Sequence, residues 1–160
     1  MLTTTKHHKL PLLYILLLIL VSCGGSKRVT STSNSVEQIT AYAKKFIDTP
    51  YRYGGTTHQG MDCSGLIYHT FLKHNKELPR TTNDMSKYGK KIKLKHARVG
   101  DLLFFKTSKK RGGINHVGLV TEVNGYYIEF IHSTTSRGVI VSKLNESYWS
   151  RAYKFTRRVL

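Results

Sequence analysis

Asp62-Cys63-Ser64-Gly65-Leu66-Ile67-Tyr68-His69-Thr70-Phe71-Leu72 is the stretch from which the fold is read. Leu66, Ile67, Thr70, Phe71 and His74 fall on one face at helical spacing. The segment therefore predicts a helix that starts at or just after Asp62, buries its apolar face centrally, and carries Cys63 at its N-terminus. Toward the N-terminus, Val36, Ile39, Ala43, Phe46 and Ile47 recur at the same spacing and predict an earlier helix capped near Ser35. It should end near Asp48, because Pro50 disfavours helical backbone in the residue before it. Tyr51-Arg52-Tyr53-Gly54-Gly55 follows as a loop with two permissive glycines. Toward the C-terminus, Leu78-Pro79-Arg80-Thr81-Thr82 closes the helical part with a short turn. Strands are expected at Asp101 to Phe105, His116 to Val123, Tyr126 to Ile131, Val139 to Ser142 and Ala152 to Val159. Lys106 to Gly113 is a basic loop, and Asn124-Gly125 is a hairpin signal. Helices first and an antiparallel sheet after them make one α+β domain over residues 36–160.

The N-terminal segment reads differently. Lys6, His7, His8 and Lys9 precede an apolar run, Leu10 to Val21, that is shorter than the roughly 20 residues a membrane span needs. Residues 1–22 are expected to be a signal peptide. Leu20-Val21-Ser22-Cys23 resembles the bacterial lipobox, which implies acylation of Cys23 and a membrane anchor through its lipid. Gly24 to Ser35 is Gly/Ser/Thr-rich without an apolar period, so residues 23–35 are expected to be a lipidated cysteine and a flexible tether. Gly24 stands where an Asp would retain a lipoprotein at the inner membrane. The expected location is the periplasmic face of an outer membrane, or the outer face of the cytoplasmic membrane where no outer membrane exists.

Cys23 and Cys63 are the two cysteines. With Cys23 lipidated, Cys63 has no disulfide partner, and on count alone it is equally a reactive thiol or an inert packed one. The formal charge is +17, and residues 23–160 hold 24 basic against nine acidic side chains. Such a balance suggests nucleic acid. Export argues against that partner and in favour of anionic wall peptides, wall polymers or lipids.

A thiol at a helix N-terminus is favoured as thiolate, and backbone N–H groups there can hold an oxyanion. It needs a general base. His69 and His74 lie further along the same helix, His58 is in a loop, and His96 sits among lysines. His116 opens a strand and His132 follows the next one. A two-residue loop at Asn124-Gly125 pairs His116 with Ser133 and puts His132 on the other face. A three-residue loop, Val123-Asn124-Gly125, pairs His116 directly with His132, which could then hold the ring as an orienting third residue.

Six ordered segments now stand together: Pro50-Tyr51-Arg52-Tyr53-Gly54-Gly55, Asp62-Cys63-Ser64-Gly65-Leu66, Leu78-Pro79-Arg80-Thr81, Gly100-Asp101-Leu102-Leu103-Phe104-Phe105, Asn115-His116-Val117-Gly118-Leu119-Val120 and His132-Ser133. Together they resemble the NlpC/P60 family of cell-wall peptidases over roughly residues 36 to 158. The resemblance implies a papain-like α+β fold, with N-terminal helices packed on an antiparallel β-sheet. It implies Cys63 as nucleophile, His116 as base and His132 as third residue. It also implies that Tyr51 helps shape the oxyanion site and that Asp62 and Ser64 line the substrate cleft. Arg80 matches the family's Leu-Pro-Arg segment without an assigned role. Tyr53 stands where a tryptophan is common. His132 to Val139, with Tyr148-Trp149, looks like the lipoprotein murein endopeptidases of the family, which cut stem peptides or cross-links.

The expectation is therefore a monomeric cysteine peptidase acting on peptidoglycan stem peptides, without cofactor or metal. Two other classes are weighed. Cys63, His116 and His132 match zinc ligands in number and type, but the chain has no short paired motif such as H-E-x-x-H. A non-catalytic peptidoglycan-binding lipoprotein is the other.

Overall fold

The computed structural model describes residues 27–108, 112–125 and 127–160, the first eight as backbone only. The expected signal peptide and Cys23 lie outside the described residues.

Both expected helices form. α1 spans Lys27–Lys44 and α2 spans Cys63–Lys73. Ile39, Ala43 and Phe46, from α1 and the turn after it, bury against Leu66, Ile67 and Phe71 of α2. α1 begins eight residues before Ser35, so residues 27–35, read as tether, are helical. Once the packed part of a helix exists, each added polar residue gains a hydrogen bond without repeating the nucleation cost. α1 ends at Lys44, earlier than expected. A tightened turn follows, with Lys45 N donating to Tyr42 O at 3.1 Å and Phe46 N to Ala43 O at 3.1 Å. Asp48, at φ 69°, then reverses the chain.

A two-strand ribbon, β1 (Thr56–Thr57) and β2 (Gly60–Met61), leads into α2. After α2 come the short α3 (Thr82–Met85), β3 (Lys90–Ile92) and a 3₁₀ turn at Leu94–His96. The remaining elements are β4 (Leu102–Phe105), β5 (His116–Asn124), β6 (Tyr127–Thr134), β7 (Gly138–Lys143), α4 (Ser147–Ala152) and β8 (Tyr153–Arg158). One six-stranded antiparallel sheet runs in the order β3-β8-β4-β5-β6-β7.

The sheet is covered on both faces, which is why Leu102-Leu103-Phe104-Phe105 is apolar without alternation. Leu102 and Phe104 face α1 and α2 with Val117, Leu119 and Ile131. Leu103 and Phe105 face the other side with Val120, Phe130, Leu144 and Trp149, under α4.

The β5–β6 hairpin differs from both sequence readings. Asn124 pairs with Tyr127, so the two paired ends are separated by two residues, 125 and 126. Glu122 pairs with Glu129, but Val120 pairs with Phe130, leaving Thr121 as an unpaired bulge residue. His116 is therefore not the direct partner of His132, nor of Ser133.

Candidate active site

The site forms where the N-terminus of α2 meets the start of β5. Asp62 caps α2 in extended backbone, its Oδ1 accepting from Gly65 N at 2.6 Å. Capping fixes the first turn and leaves Cys63 as its first residue. Ser133 Oγ donates to Met61 O at 2.7 Å and ties β6 to the chain entering the helix. Cys63 is 9 % exposed. Its Sγ lies 3.5 Å from Thr82 Oγ1 at the start of α3.

The expectation of a lowered Cys63 pKa is corrected. Burial raises it, and the hydrogen bonds from Thr82 and the Val117 and Ser64 N–H groups offset that only in part. The helix terminus supplies N–H groups, but desolvation of the thiolate outweighs them.

His116 is as buried as Cys63, and His132 is fully buried. His116 Nε2 stands 3.0 Å from His132 Nδ1, and His132 Nε2 stands 3.0 Å from Ser142 Oγ on β7. Two tautomer sets satisfy this series with neutral rings, since the Ser142 hydroxyl can accept or donate, and the set that leaves a base runs from His116 to Ser142. His116 Nε2–H donates to His132, His132 Nε2–H donates to Ser142, and the lone pair on His116 Nδ1 is left available as a base. Burial pushes His116 down to about 4. Burial, then the His116 and Arg137 charges, push His132 down to about 2. Trp149 stacks on His116 at 5.3 Å and meets His132 edge-on at 4.5 Å, closing the apolar side of the pair. Asn115, beside His116, exchanges two hydrogen bonds with Thr107: Thr107 N donates to its Oδ1 at 2.8 Å, and its Nδ2 donates to Thr107 Oγ1 at 2.9 Å. These close the base of the β4–β5 connection.

Two pockets meet at Cys63. One, of about 430 Å³, holds His116, Trp149, Arg137 and Glu146. The other, of about 380 Å³, holds Asp62, Ser64, Arg80 and Thr82. Tyr51, Cys63 and Asn115 line both. Burial, then the charges of Cys63, Asp62 and Tyr53, push the Tyr51 phenol up, so it stays protonated and can donate. Asp62 and Ser64 reach the cleft as expected, and Arg80 binds them there. Its Nη1 donates to Asp62 Oδ1 at 3.0 Å and to Ser64 Oγ at 2.9 Å, and its Nη2 donates to Asp62 Oδ2 at 2.9 Å. Gly54 N donates to the same Oδ2 at 2.8 Å. Burial alone would raise the Asp62 pKa, but the Arg80 and backbone hydrogen bonds outweigh it and the carboxyl is held below its usual range.

His58, His69 and His74 instead surround Tyr42 and Phe46. His58 stacks on Phe46 at 4.3 Å, and Tyr42 Oη lies 3.1 Å from His69 Nε2. Both ring nitrogens of His132 are engaged, one with His116 and one with Ser142, so it is not placed as a zinc ligand. Ser142, Thr82, Trp149, Arg137 and Glu146 reach the site although the sequence reading assigned them no role, and Arg80, whose role it left open, binds Asp62 and Ser64. Ser142 carried no local signal; a third partner for a buried histidine pair was the only clue.

Residues 48–158 match the NlpC/P60 family. The chain is 35% identical over 155 residues to the Escherichia coli K12 protein named "Probable endopeptidase NlpC", covering 92% of this chain and 97% of that one. It is 40% identical over 111 residues to the E. coli K12 "Murein DD-endopeptidase MepS/Murein LD-carboxypeptidase", covering 69% of this chain and 55% of that one. The crystal structure of an NlpC/P60 family protein from Bacillus cereus superposes with a TM-score of 0.71 at 28% identity, covering 78% of this chain and 40% of that one. With its helices packed on an antiparallel sheet and the family match running over residues 48–158, the chain belongs to the NlpC/P60 family.

Proposed function

We propose that the protein is a peptidoglycan endopeptidase in which Cys63 attacks a stem-peptide or cross-link amide. The observation that carries this is the hydrogen-bonded series Ser142–His132–His116, ending in the pocket that Cys63 also lines. It supplies a neutral imidazole held in place by its partner, in the pocket that the neutral thiol also lines.

The reaction starts as a thiol–imidazole pair, because burial disfavours both the thiolate and the imidazolium. The Cys63 thiol turns from Thr82 toward His116, which takes the proton on Nδ1 as sulfur bonds to the carbonyl carbon. The oxyanion is met by N–H groups at the α2 terminus and by the Tyr51 hydroxyl. His116 then gives its proton to the departing amine, leaving a thioester. Water attacks the thioester with His116 as base, and the carboxylate product and free thiol are released. His132 holds His116 in place through both steps. The relative named as a murein DD-endopeptidase supports the substrate class, and the one named as a probable endopeptidase supports the reaction type. The lipobox-like Leu20-Val21-Ser22-Cys23 supports anchoring through lipid on Cys23, on the outer side of the cytoplasmic membrane or the inner side of an outer membrane.

The test is digestion of purified peptidoglycan, with the soluble products read by mass spectrometry. New peptide termini support the proposal, and their masses name the bond. Binding to the polymer without any released product would replace it with the wall-binding reading.

A further inference from the structure

The mechanism gives the two pockets different occupants. His116 protonates the departing amine, so the leaving half of the substrate lies on the His116 side, in the pocket with Trp149, Arg137 and Glu146. The acyl half lies across Cys63, by Asp62 and Arg80. On the acyl side the charges are spent on each other, in the Arg80–Asp62 pair at 2.9 Å. On the leaving side they are not. Arg137 forms no ion pair among the described residues. Its charge is near enough to the active centre to be felt at His132.

Arg137 is exposed, and its backbone is held in place. It sits at the tip of the β6–β7 hairpin, its backbone N donating to Thr134 Oγ1 at 3.1 Å. That tip is held by Thr134 Oγ1 donating to Gly138 O at 3.2 Å. Gly138, at φ 65°, packs directly against Thr49 O, and Asp48 N to Val139 O and Val139 N to Thr49 O, both 2.9 Å, clamp the hairpin onto the loop that carries Tyr51. A side chain added at Gly138 would break that approach. The guanidinium therefore emerges from a fixed base beside the leaving-group pocket.

We infer that Arg137 is a specificity-determining residue that binds a free carboxylate on the residue supplying the leaving amine. A guanidinium fork matches a carboxylate in two parallel hydrogen bonds. Glu146 in the same pocket makes it bipolar, which fits an amino acid bearing both charges and disfavours a polyanionic wall polymer. Glu146 is itself positioned, its Oε1 accepting from Lys143 N at 2.7 Å. A diamino acid meets this description, since one amino group forms the scissile amide while a carboxylate remains free. The inference rests on the peptidase reading above and names which half of its substrate is selected, and by what.

The test uses two synthetic stem peptides that differ only at the diamino residue on the amine side of the scissile bond, a free carboxylate in one and a carboxamide in the other. The wild type should cleave the acid with a kcat/KM about tenfold higher, mostly through KM. Arg137→Gln should bring the acid-to-amide ratio close to one, and Arg137→Lys should restore part of it. Equal cleavage of the two peptides by the wild type would overturn the inference, as would an Arg137→Gln variant that slows both alike and keeps the ratio. Cleavage of neither peptide by a wild type that also releases nothing from peptidoglycan would instead remove the peptidase reading, and the inference with it.

Discussion

His116 Nε2 lies 3.0 Å from His132 Nδ1 although the two residues are not cross-strand partners. Continuing the Leu119–Ile131 pairing places Gly118 opposite His132, so His116 is the diagonal neighbour two residues along. The bulge at Thr121 sets this parity. Without it, the Asn124–Tyr127 pairing would carry through to put Leu119 opposite His132, and His116 would point to the other face. One unpaired residue is the difference between two histidines that touch and two on opposite faces of the sheet.

The series Ser142–His132–His116 predicts graded losses. His132→Ala should lower kcat by about 10²–10³-fold, since His116 loses the partner that holds it in place. His132→Asn, which keeps a hydrogen-bond acceptor, should recover part of that loss. Ser142→Ala should cost about tenfold, the value of one hydrogen bond. Steady-state kinetics on a defined muropeptide, with circular dichroism to verify folding, measures all three.

The pH profile should be wide. His116, pushed down to about 4, stays a base well below pH 6, so the acid limb of kcat/KM should lie near 4 rather than at the ordinary imidazole value of about 6.5. The alkaline limb should lie above the ordinary thiol range, because burial raises Cys63. Stability has its own pH dependence. The unfolded chain protonates these histidines near 6.5 while the folded one resists, so their contribution is full above 6.5 and declines as pH falls toward 4. Melting temperature measured from pH 7.5 to 4.5 should fall across that window.

Arg80→Ala should destabilise the fold by about 2–3 kcal/mol, because it strips a buried carboxylate of its bidentate partner. Arg80→Lys should restore only part of this, since an ammonium cannot reproduce the fork to Asp62 and Ser64. Urea denaturation of the three proteins gives the values.

The first turn of α2, with Asp62 as cap and Cys63 after it, was legible because capping and apolar spacing are local. The diagonal histidine contact was not, because a bulge leaves no mark in a strand's alternation. α4 was missed for a different reason: six residues, Ser147–Ala152, are too few to display a helical period. β3 was missed because Lys90-Lys91-Ile92 is a charged edge strand with a single apolar residue. The raised Cys63 pKa could not be read either, because it depends on burial contributed by elements far away in the sequence.

Gly118→Ala should disturb the site from behind. A Cβ there runs into the Phe130 ring, which packs 4.6 Å from His132. The expected cost is about 1–3 kcal/mol of stability, with a fall in kcat that exceeds any change in KM. Thermal melts and kinetics on one preparation separate the two effects.

The central claim is that Cys63 is the nucleophile, and the direct measurement is digestion of peptidoglycan by the Cys63→Ala protein beside the wild type. The wild type should release new peptide termini. Cys63→Ala, folded by circular dichroism, should release fewer by about 10⁴-fold or more. Products from Cys63→Ala at a rate near that of the wild type would contradict the account.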